Sequence, residues 1–286
     1  DYNEKEERDE LRKELAAEPL DEELYTLCYY DGKTEKQLAE HFVFYSDYIA
    51  ESKPVMAYQT YDLAAVSKVK ISEMESLSDA EDMVESALSS TEKFYVAAKD
   101  NISAIDVDSV LHIAVEKNGE NIYFLGESSA DEEKNDLYRL AVEDGKVQSP
   151  EVYDSGVSNF LLIYDNVVCV KDTDDVIYKA GDLYINKELV DYDVAIYRIK
   201  GMDDGTVVYF TDYDTDEECG TLKCFKNGKS QKIADNVHTF DILSGDEILY
   251  LCNYDNDDYA GELFAYRNGK AQKLDDGVTA IVPYLQ

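Results

Sequence analysis

The chain has 286 residues, 44% of them hydrophobic, with 63 acidic against 27 basic side chains and a formal net charge of −36. That is apolar material enough for one large or two ordinary domains, and no apolar run approaches the length that spans a bilayer. A negative field of this strength repels phosphate backbones and anionic headgroups. Nucleic acid and direct membrane insertion are therefore excluded as modes of binding, while cations, basic peptides and neutral ligands remain open.

The chain starts at Asp1 rather than Met, so it reads as a piece of something longer. Residues 1–20 form a lead-in. Asn3–Ala17 is charged and helical, with Leu11 and Leu15 one turn apart and Glu4–Arg8 and Asp9–Lys13 at the favourable i,i+4 spacing, and Pro19 stops it. Leu24–Tyr30 and Lys33–Leu38 then read as outer strands on either side of Asp31-Gly32-Lys33. Residues 62–93 look like an insertion. Within it Ser78-x-x-Glu81 is a capping box, and Met83, Val84, Ala87 and Leu88 share one face of a helix expected over 78–89.

From there the chain repeats itself. Val207–Ile242 overlays the segment from Ile248 with a constant offset of 41 and no gap. Tyr209 falls on Tyr250, Tyr213 on Tyr254, Asp214 on Asp255 and Gly220 on Gly261. Further on, Leu222 falls on Leu263, Asn227-Gly228-Lys229 on Asn268-Gly269-Lys270, and Val237 on Val278. Fainter copies of the turn lie at Asn186-Lys187, Asp144-Gly145-Lys146, Asp100-Asn101 and Asp31-Gly32-Lys33, six anchors in all.

Asn-Gly and Asp-Gly between apolar runs mark two-residue hairpins, because a type I′ turn needs positive φ at both central positions. The last unit therefore reads as an inner strand (Asn236–Ile242), a second (Glu247–Asn253), a third (Gly261–Arg267) and a fourth (Lys270–Leu274). Four strands in some forty residues is the arithmetic of a propeller blade. The fold expected over 21–286 is an all-β, six-bladed β-propeller with blades of about 41 residues. The helix is inserted in the second blade, and seven blades is the alternative if the insertion hides one. Val278–Tyr284 reads as an inner strand whose blade the N-terminal outer strands complete, closing the ring.

Motifs that carry chemistry are scarce. There is no GxSxG, HExxH, P-loop or GxGxxG pattern, and no tryptophan for sialidase-type repeats. The five cysteines are odd in number and lack CxxC spacing, so neither a disulfide framework nor a zinc site is expected, and Cys28, Cys169 and Cys252 read as core. His112 and His238 fall at equivalent inner-strand positions, with His41 near the start of another; a channel metal site is conceivable, but packed, hydrogen-bonded histidines are the reading preferred.

Two features remain as candidate sites. Asp212-x-Asp214-x-Asp216 and Asn253-x-Asp255-x-Asp257 repeat in register, and alternating oxygen ligands in a tight loop suit Ca²⁺. The EF-hand spacing fails, since Lys223 and Phe264 stand at the twelfth positions, and Gly220 and Gly261 come too late for a DxDxDG loop. The plain alternative is a solvated hairpin whose Asp and Asn side chains satisfy the local backbone. The second feature is tyrosine, with 24 copies. Tyr209, Tyr250, Leu222 and Leu263 recur as core residues should, whereas Tyr213, Tyr254 and Tyr259 lie in the acidic loops, where they can stack on a sugar or peptide.

The phrases Val207-Val-Tyr-Phe-Thr-Asp-Tyr-Asp, Gly220-Thr-Leu-Lys and Gly261-Glu-Leu-Phe-Ala-Tyr-Arg-Asn-Gly-Lys resemble the extracytoplasmic propeller of uncharacterised Gram-positive bacterial membrane proteins. Those proteins carry a short zinc ribbon and a single span ahead of the propeller. The resemblance covers most of Leu24–Tyr284 and implies an outside-facing module, tethered to the cell membrane through a segment upstream of Asp1. It brings no activity with it. The expectation is a non-enzymatic, monomeric propeller ectodomain that binds a protein, peptide or glycan ligand. The alternatives are a hydrolase or lyase acting on cell-wall or polysaccharide substrates and a structural spacer that binds divalent cations.

Overall fold

A computed structural model describes residues 25–30, 35–42, 50, 53–60, 83, 86, 92–99, 101–107, 110–128, 134–173, 180–243 and 247–282. The chain divides into two compact units, residues 1–126 with 139–151 and residues 127–138 with 152–286. The N-terminal helix expected over Asn3–Ala17 lies outside the described residues, as does the helix over 78–89 apart from Met83 and Ser86.

The protein is all-β. Its described elements are strands in three sheets, each strand antiparallel to its neighbours wherever the register is defined. One sheet runs in chain order through β1 (Tyr25–Tyr30), β2 (Glu35–Phe42), β3 (Val55–Thr60), β4 (Lys93–Ala98) and β5 (Asn101–Ile105). Here Tyr58 stacks on Tyr95 with ring centroids 5.4 Å apart. A second sheet holds β6 (His112–Val115), β7 (Asn121–Glu127), β8 (Asn135–Glu143), β9 (Lys146–Val147) and β10 (Glu151–Ser155).

The third sheet is the long one. It comprises β11 (Val157–Ile163), β12 (Asn166–Lys171), β13 (Ala180–Ile185), β14 (Glu188–Ala195), β15 (Lys200–Gly201), β16 (Val207–Asp214), β17 (Cys219–Lys226), β18 (Lys229–Ile242), β19 (Ile248–Asp255), β20 (Ala260–Arg267) and β21 (Lys270–Val278).

The hairpin turns lie where the Asn-Gly and Asp-Gly signals place them. Asp144 and Gly145 have φ of 52° and 75°, Asn186 and Lys187 50° and 71°, Asn227 and Gly228 52° and 74°, Asn268 and Gly269 52° and 74°. Both central residues are left-handed, as a turn that follows the strands' twist requires. The anchor at 100–101 is one place late, since Asn101 already pairs with Ala98 as the first residue of β5.

The strand boundaries differ from expectation in two respects. Of the inner strand expected over Val278–Tyr284 only Val278 is strand, as the end of β21, and residues 279–282 are irregular. The fourth strand of one repeat and the inner strand of the next are a single element. β18 runs unbroken for 14 residues: its first half pairs with β17, its second half with β19, and Val237 lies opposite both Gly220 and Cys252. Val194 in β14 does the same on a smaller scale, opposite Gly181 and Thr211. Asn236 takes a φ of 56° where β18 changes partners, and Gly277 a φ of 67° at the corresponding place in β21.

The repeated glycines lie opposite bulges, between Thr211 and Asp214 in β16 and between Cys252 and Asp255 in β19, where backbones come close together. A Cβ on Gly220 would lie 3.0 Å from the Thr211 carbonyl oxygen, and one on Gly261 2.9 Å from that of Cys252. The repeated glycine thus belongs to strand packing, which is why it falls too late to serve a cation loop.

The recurring apolar positions are mostly interior, as the repeat implied. Tyr209, Leu222, Val237 and Tyr250 are all buried, while Leu263 is half-buried. Cys169, Cys224 and Cys252 are buried too. Cys28, read from its apolar run as core, is exposed: alternation along β1 turns it to solvent together with Thr26.

One polar cluster interrupts the apolar rows of the second unit. The Asp191 carboxylate accepts from Lys223 Nζ (2.9 Å), the Tyr209 hydroxyl (3.0 Å) and the Tyr192 amide (3.1 Å), and the Tyr209 and Ser230 hydroxyls are 2.7 Å apart. Four strands, β14, β16, β17 and β18, meet in this group. In the following repeat Ala234, Tyr250, Phe264 and Ala271 hold the same places, and Tyr250 stacks on Phe264 at 5.3 Å. Burial alone would raise the Asp191 carboxyl, but the hydrogen bonds from Lys223, Tyr192 and Tyr209 outweigh it and hold the group below its ordinary value.

A carboxyl depressed on folding contributes stability above its unfolded pKa and loses it as pH falls through the folded one. Asp191→Asn should therefore lower the melting temperature at neutral pH by roughly 4–8 °C, for a cost of about 2 kcal/mol. Melting curves taken from pH 7 downward should show the gap between variant and wild type closing below the normal aspartate range. A gap independent of pH would show that the ionised carboxylate is not what matters.

Candidate functional site

The two acidic hairpin loops join β16 to β17 and β19 to β20, and they are built alike. Each opens on a residue in left-handed conformation, Asp212 (φ 50°) or Asn253 (φ 49°), and closes on another, Glu218 (φ 48°) or Tyr259 (φ 51°). Asp214 Oδ1 accepts from the amides of Asp216 (2.9 Å) and Glu217 (3.0 Å), and Asp255 Oδ1 from those of Asp257 (2.8 Å) and Asp258 (3.3 Å). These are Asx turns, in which a short carboxylate takes over amides the backbone leaves unpaired.

Two more of the ligands proposed from sequence point elsewhere. Asp212 Oδ2 accepts from the Thr211 hydroxyl at 3.0 Å, and Asn253 Nδ2 donates to Glu262 Oε2 at 2.7 Å, across to the next strand. Asp212, Asp214, Asp216, Asn253, Asp255 and Asp257 are all exposed. Among the described residues no three His, Cys, Asp or Glu side chains converge to hold a metal ion; a calcium ion in either loop would have to draw the carboxylates together.

The three tyrosines separate into two kinds. Tyr213 is half-buried under the Arg198 guanidinium, 4.1 Å from its ring centroid, and meets Phe210 edge-on at 5.4 Å. Tyr254 is also half-buried: it stacks on His238 at 4.1 Å with 6° between ring planes, and its hydroxyl donates to the Thr279 carbonyl. Both rings are sandwiched at the base of their loops. Tyr259 is different, 69% exposed at the loop's closing corner.

His238 joins one loop to the next. Its Nδ1 lies 2.9 Å from the Glu218 carbonyl in the first loop while its ring lies on Tyr254 of the second. It is a packed, hydrogen-bonded histidine, as the sequence reading preferred. His112 lies half-buried in β6, and burial lowers its pKa.

Sequence reasoning missed Arg198 and the Asp191–Lys223–Tyr209–Ser230 cluster. Arg198 lies in an irregular stretch outside the repeat register, so nothing in the sequence marked it. The cluster did leave a trace, because Lys223 stands where the next repeat has Phe264, a break in an otherwise apolar row.

No family model matches the chain, and no curated protein matches it. Among solved structures it is similar to the β-propeller domain of the Trilobed protease from Pyrococcus furiosus, at 12% identity and a TM-score of 0.45, over 89% of this chain and 81% of that one. An uncharacterized protein from Listeria monocytogenes EGD-e matches at 12% identity and a TM-score of 0.44, over 79% of this chain and 64% of that one. Acylaminoacyl peptidase from Pyrococcus horikoshii matches at 11% identity and a TM-score of 0.42, over 77% of this chain but only 37% of the peptidase. The chain thus spans less than two thirds of the latter two proteins, and at these scores no activity or ligand follows from any of the three. No described helix is long and apolar enough to cross a membrane.

The Asx turns carry a direct expectation. Asp214→Ala and Asp255→Ala should each lower the melting temperature in the presence of chelator, by about 1 kcal/mol in stability, because each leaves two amides without their carboxylate. Asn at either position should recover most of the loss, since its side-chain carbonyl can accept the same bonds. Alanine variants that melt like wild type would rule out a capping role.

Proposed function

We propose that the chain is a β-propeller ectodomain of six blades that binds a ligand or partner and catalyses no reaction, its contact surface lying at the loops between second and third strands. The regular 41-residue spacing of the left-handed hairpin turns supports the propeller reading. The resemblance described above supports an extracytoplasmic, membrane-tethered location. Monomeric behaviour is in keeping with the net charge of −36, which makes copies repel one another.

Tyr259 is the observation that carries the binding reading. A bulky residue at positive φ costs energy that Asn or Gly would avoid, and the preceding repeat closes the same turn with Glu218, so the turn itself does not need an aromatic ring. The ring has no partner among the described residues and lies beside the exposed Asp255, Asp257 and Asp258. An unused, strained, outward aromatic flanked by carboxylates suits a neutral or cationic group: a sugar face, or the side chain of a basic peptide.

The test is a binding screen against soluble cell-wall glycan fragments and lysine- or arginine-rich peptides, read by calorimetry. One of the two classes should bind, and Tyr259→Ala should weaken it by about 2 kcal/mol, roughly thirtyfold, without lowering the melting temperature. Full binding by the variant would remove Tyr259 from the site, and release of reducing ends from the glycans would favour the polysaccharide hydrolase. A melting temperature that rises with calcium and loses that rise in the Asp214→Ala, Asp255→Ala double variant would favour the cation-binding spacer.

A further inference from the structure

Three Asn-Gly pairs occur in the described residues, Asn118-Gly119, Asn227-Gly228 and Asn268-Gly269, and the structure treats them unequally. An asparagine followed by glycine can modify itself. The glycine amide nitrogen attacks the asparagine Cγ, a C–N bond forms, and ammonia leaves to give a five-membered succinimide. Water then opens either carbonyl of that ring, yielding aspartate or isoaspartate. The reaction needs a free nucleophilic amide, a free side-chain carboxamide, room at the glycine and a backbone able to rotate.

At Asn118 both reacting groups are engaged. The Gly119 amide donates to the Glu116 carbonyl at 2.8 Å, and Asn118 Oδ1 accepts from the Glu120 amide at 2.8 Å. Gly119 is buried, and a Cβ there would lie 3.0 Å from Ala50 Cβ and within 3.2 Å of Lys53 and Val55. At the two hairpin tips neither group is held. The side chains of Asn227 and Asn268 and the amides of Gly228 and Gly269 make no hydrogen bond among the described residues, and nothing lies within 4 Å of a Cβ built on either glycine. Every residue from Lys226 to Ser230 and from Arg267 to Ala271 is exposed. Hairpin ends are also where a sheet opens at low cost, which supplies the rotation the attack requires.

We propose that Asn227 and Asn268 are sites of spontaneous deamidation and isoaspartate formation in the folded protein, and that Asn118 is protected. Each conversion adds a negative charge to a hairpin tip. The isoaspartyl product also inserts a methylene into the backbone of a two-residue turn whose geometry depends on left-handed φ at both positions. Modified molecules therefore loosen at the β17–β18 and β20–β21 hairpins.

The experiment is incubation of the folded chain at 37 °C and mildly alkaline pH, with peptide mass mapping over time and a parallel sample in urea. In urea all three asparagines should convert at similar rates. In buffer, Asn227 and Asn268 should gain the mass of amide-to-acid exchange several-fold faster than Asn118, with an isoaspartyl fraction and a falling melting temperature. Conversion of Asn118 as fast as the hairpin sites in buffer, or no conversion at Asn227 and Asn268 while the urea sample reacts, would overturn the assignment.

Discussion

Everything in the long sheet depends on a hairpin only two residues wide. A connection that short fixes which residue faces which across the strands, and it closes without splaying them only when both of its residues adopt positive φ. Asn, Asp and Gly tolerate that conformation and most residues do not. Once Asn227 and Gly228 have set Lys226 opposite Lys229, the next pairs follow, Phe225 with Ser230, Cys224 with Gln231 and Lys223 with Lys232, before bulges at Leu222 and Gly220 shift the register. The same holds one repeat later from Arg267 and Lys270.

That dependence explains why the fold was so legible. The turn residues are few and chemically distinctive, and their spacing survives where the strands between them have diverged. Within the last two repeats, residue identity, register and burial could be read together. Less legible was the joining of the fourth strand to the next inner strand, since nothing at Asp235-Asn236 signals that the chain continues straight while changing partners. The placing of Gly220 and Gly261 was read correctly as recurrence, but its cause, a carbonyl oxygen some 3 Å away, is a contact between strands that a linear reading cannot contain.

The candidate site was legible only in part, for a physical reason. Asp and Asn in a loop serve the backbone and a ligand with the same oxygen atoms, so their presence does not say which. The hydrogen bonds to Asp214 and Asp255 commit one oxygen of each to the turn. Likewise Tyr213, Tyr254 and Tyr259 are alike in sequence, yet only geometry separates two rings clamped by Arg198 and His238 from one left standing in water. The signal for the difference lies in the partners: Arg198 stands outside the repeat register, and His238, inside it, falls on Thr279 in the next copy.

The strand shared between repeats has a consequence for how such a chain can arise and be cut. The sequence repeats from turn to turn, but β18 belongs half to one set of hydrogen bonds and half to the next. The genetic unit and the bonded unit are therefore out of phase. A duplication or excision that begins and ends at the Asn-Gly turns copies or removes one whole strand-sharing step and leaves each junction intact. The same event made a few residues later, inside β18, would leave a strand with one partner where it needs two. Breakpoints tolerated in evolution or in engineering should thus cluster at the hairpin tips, and a repeat trimmed to look like a self-contained four-strand blade would be the wrong piece to transplant.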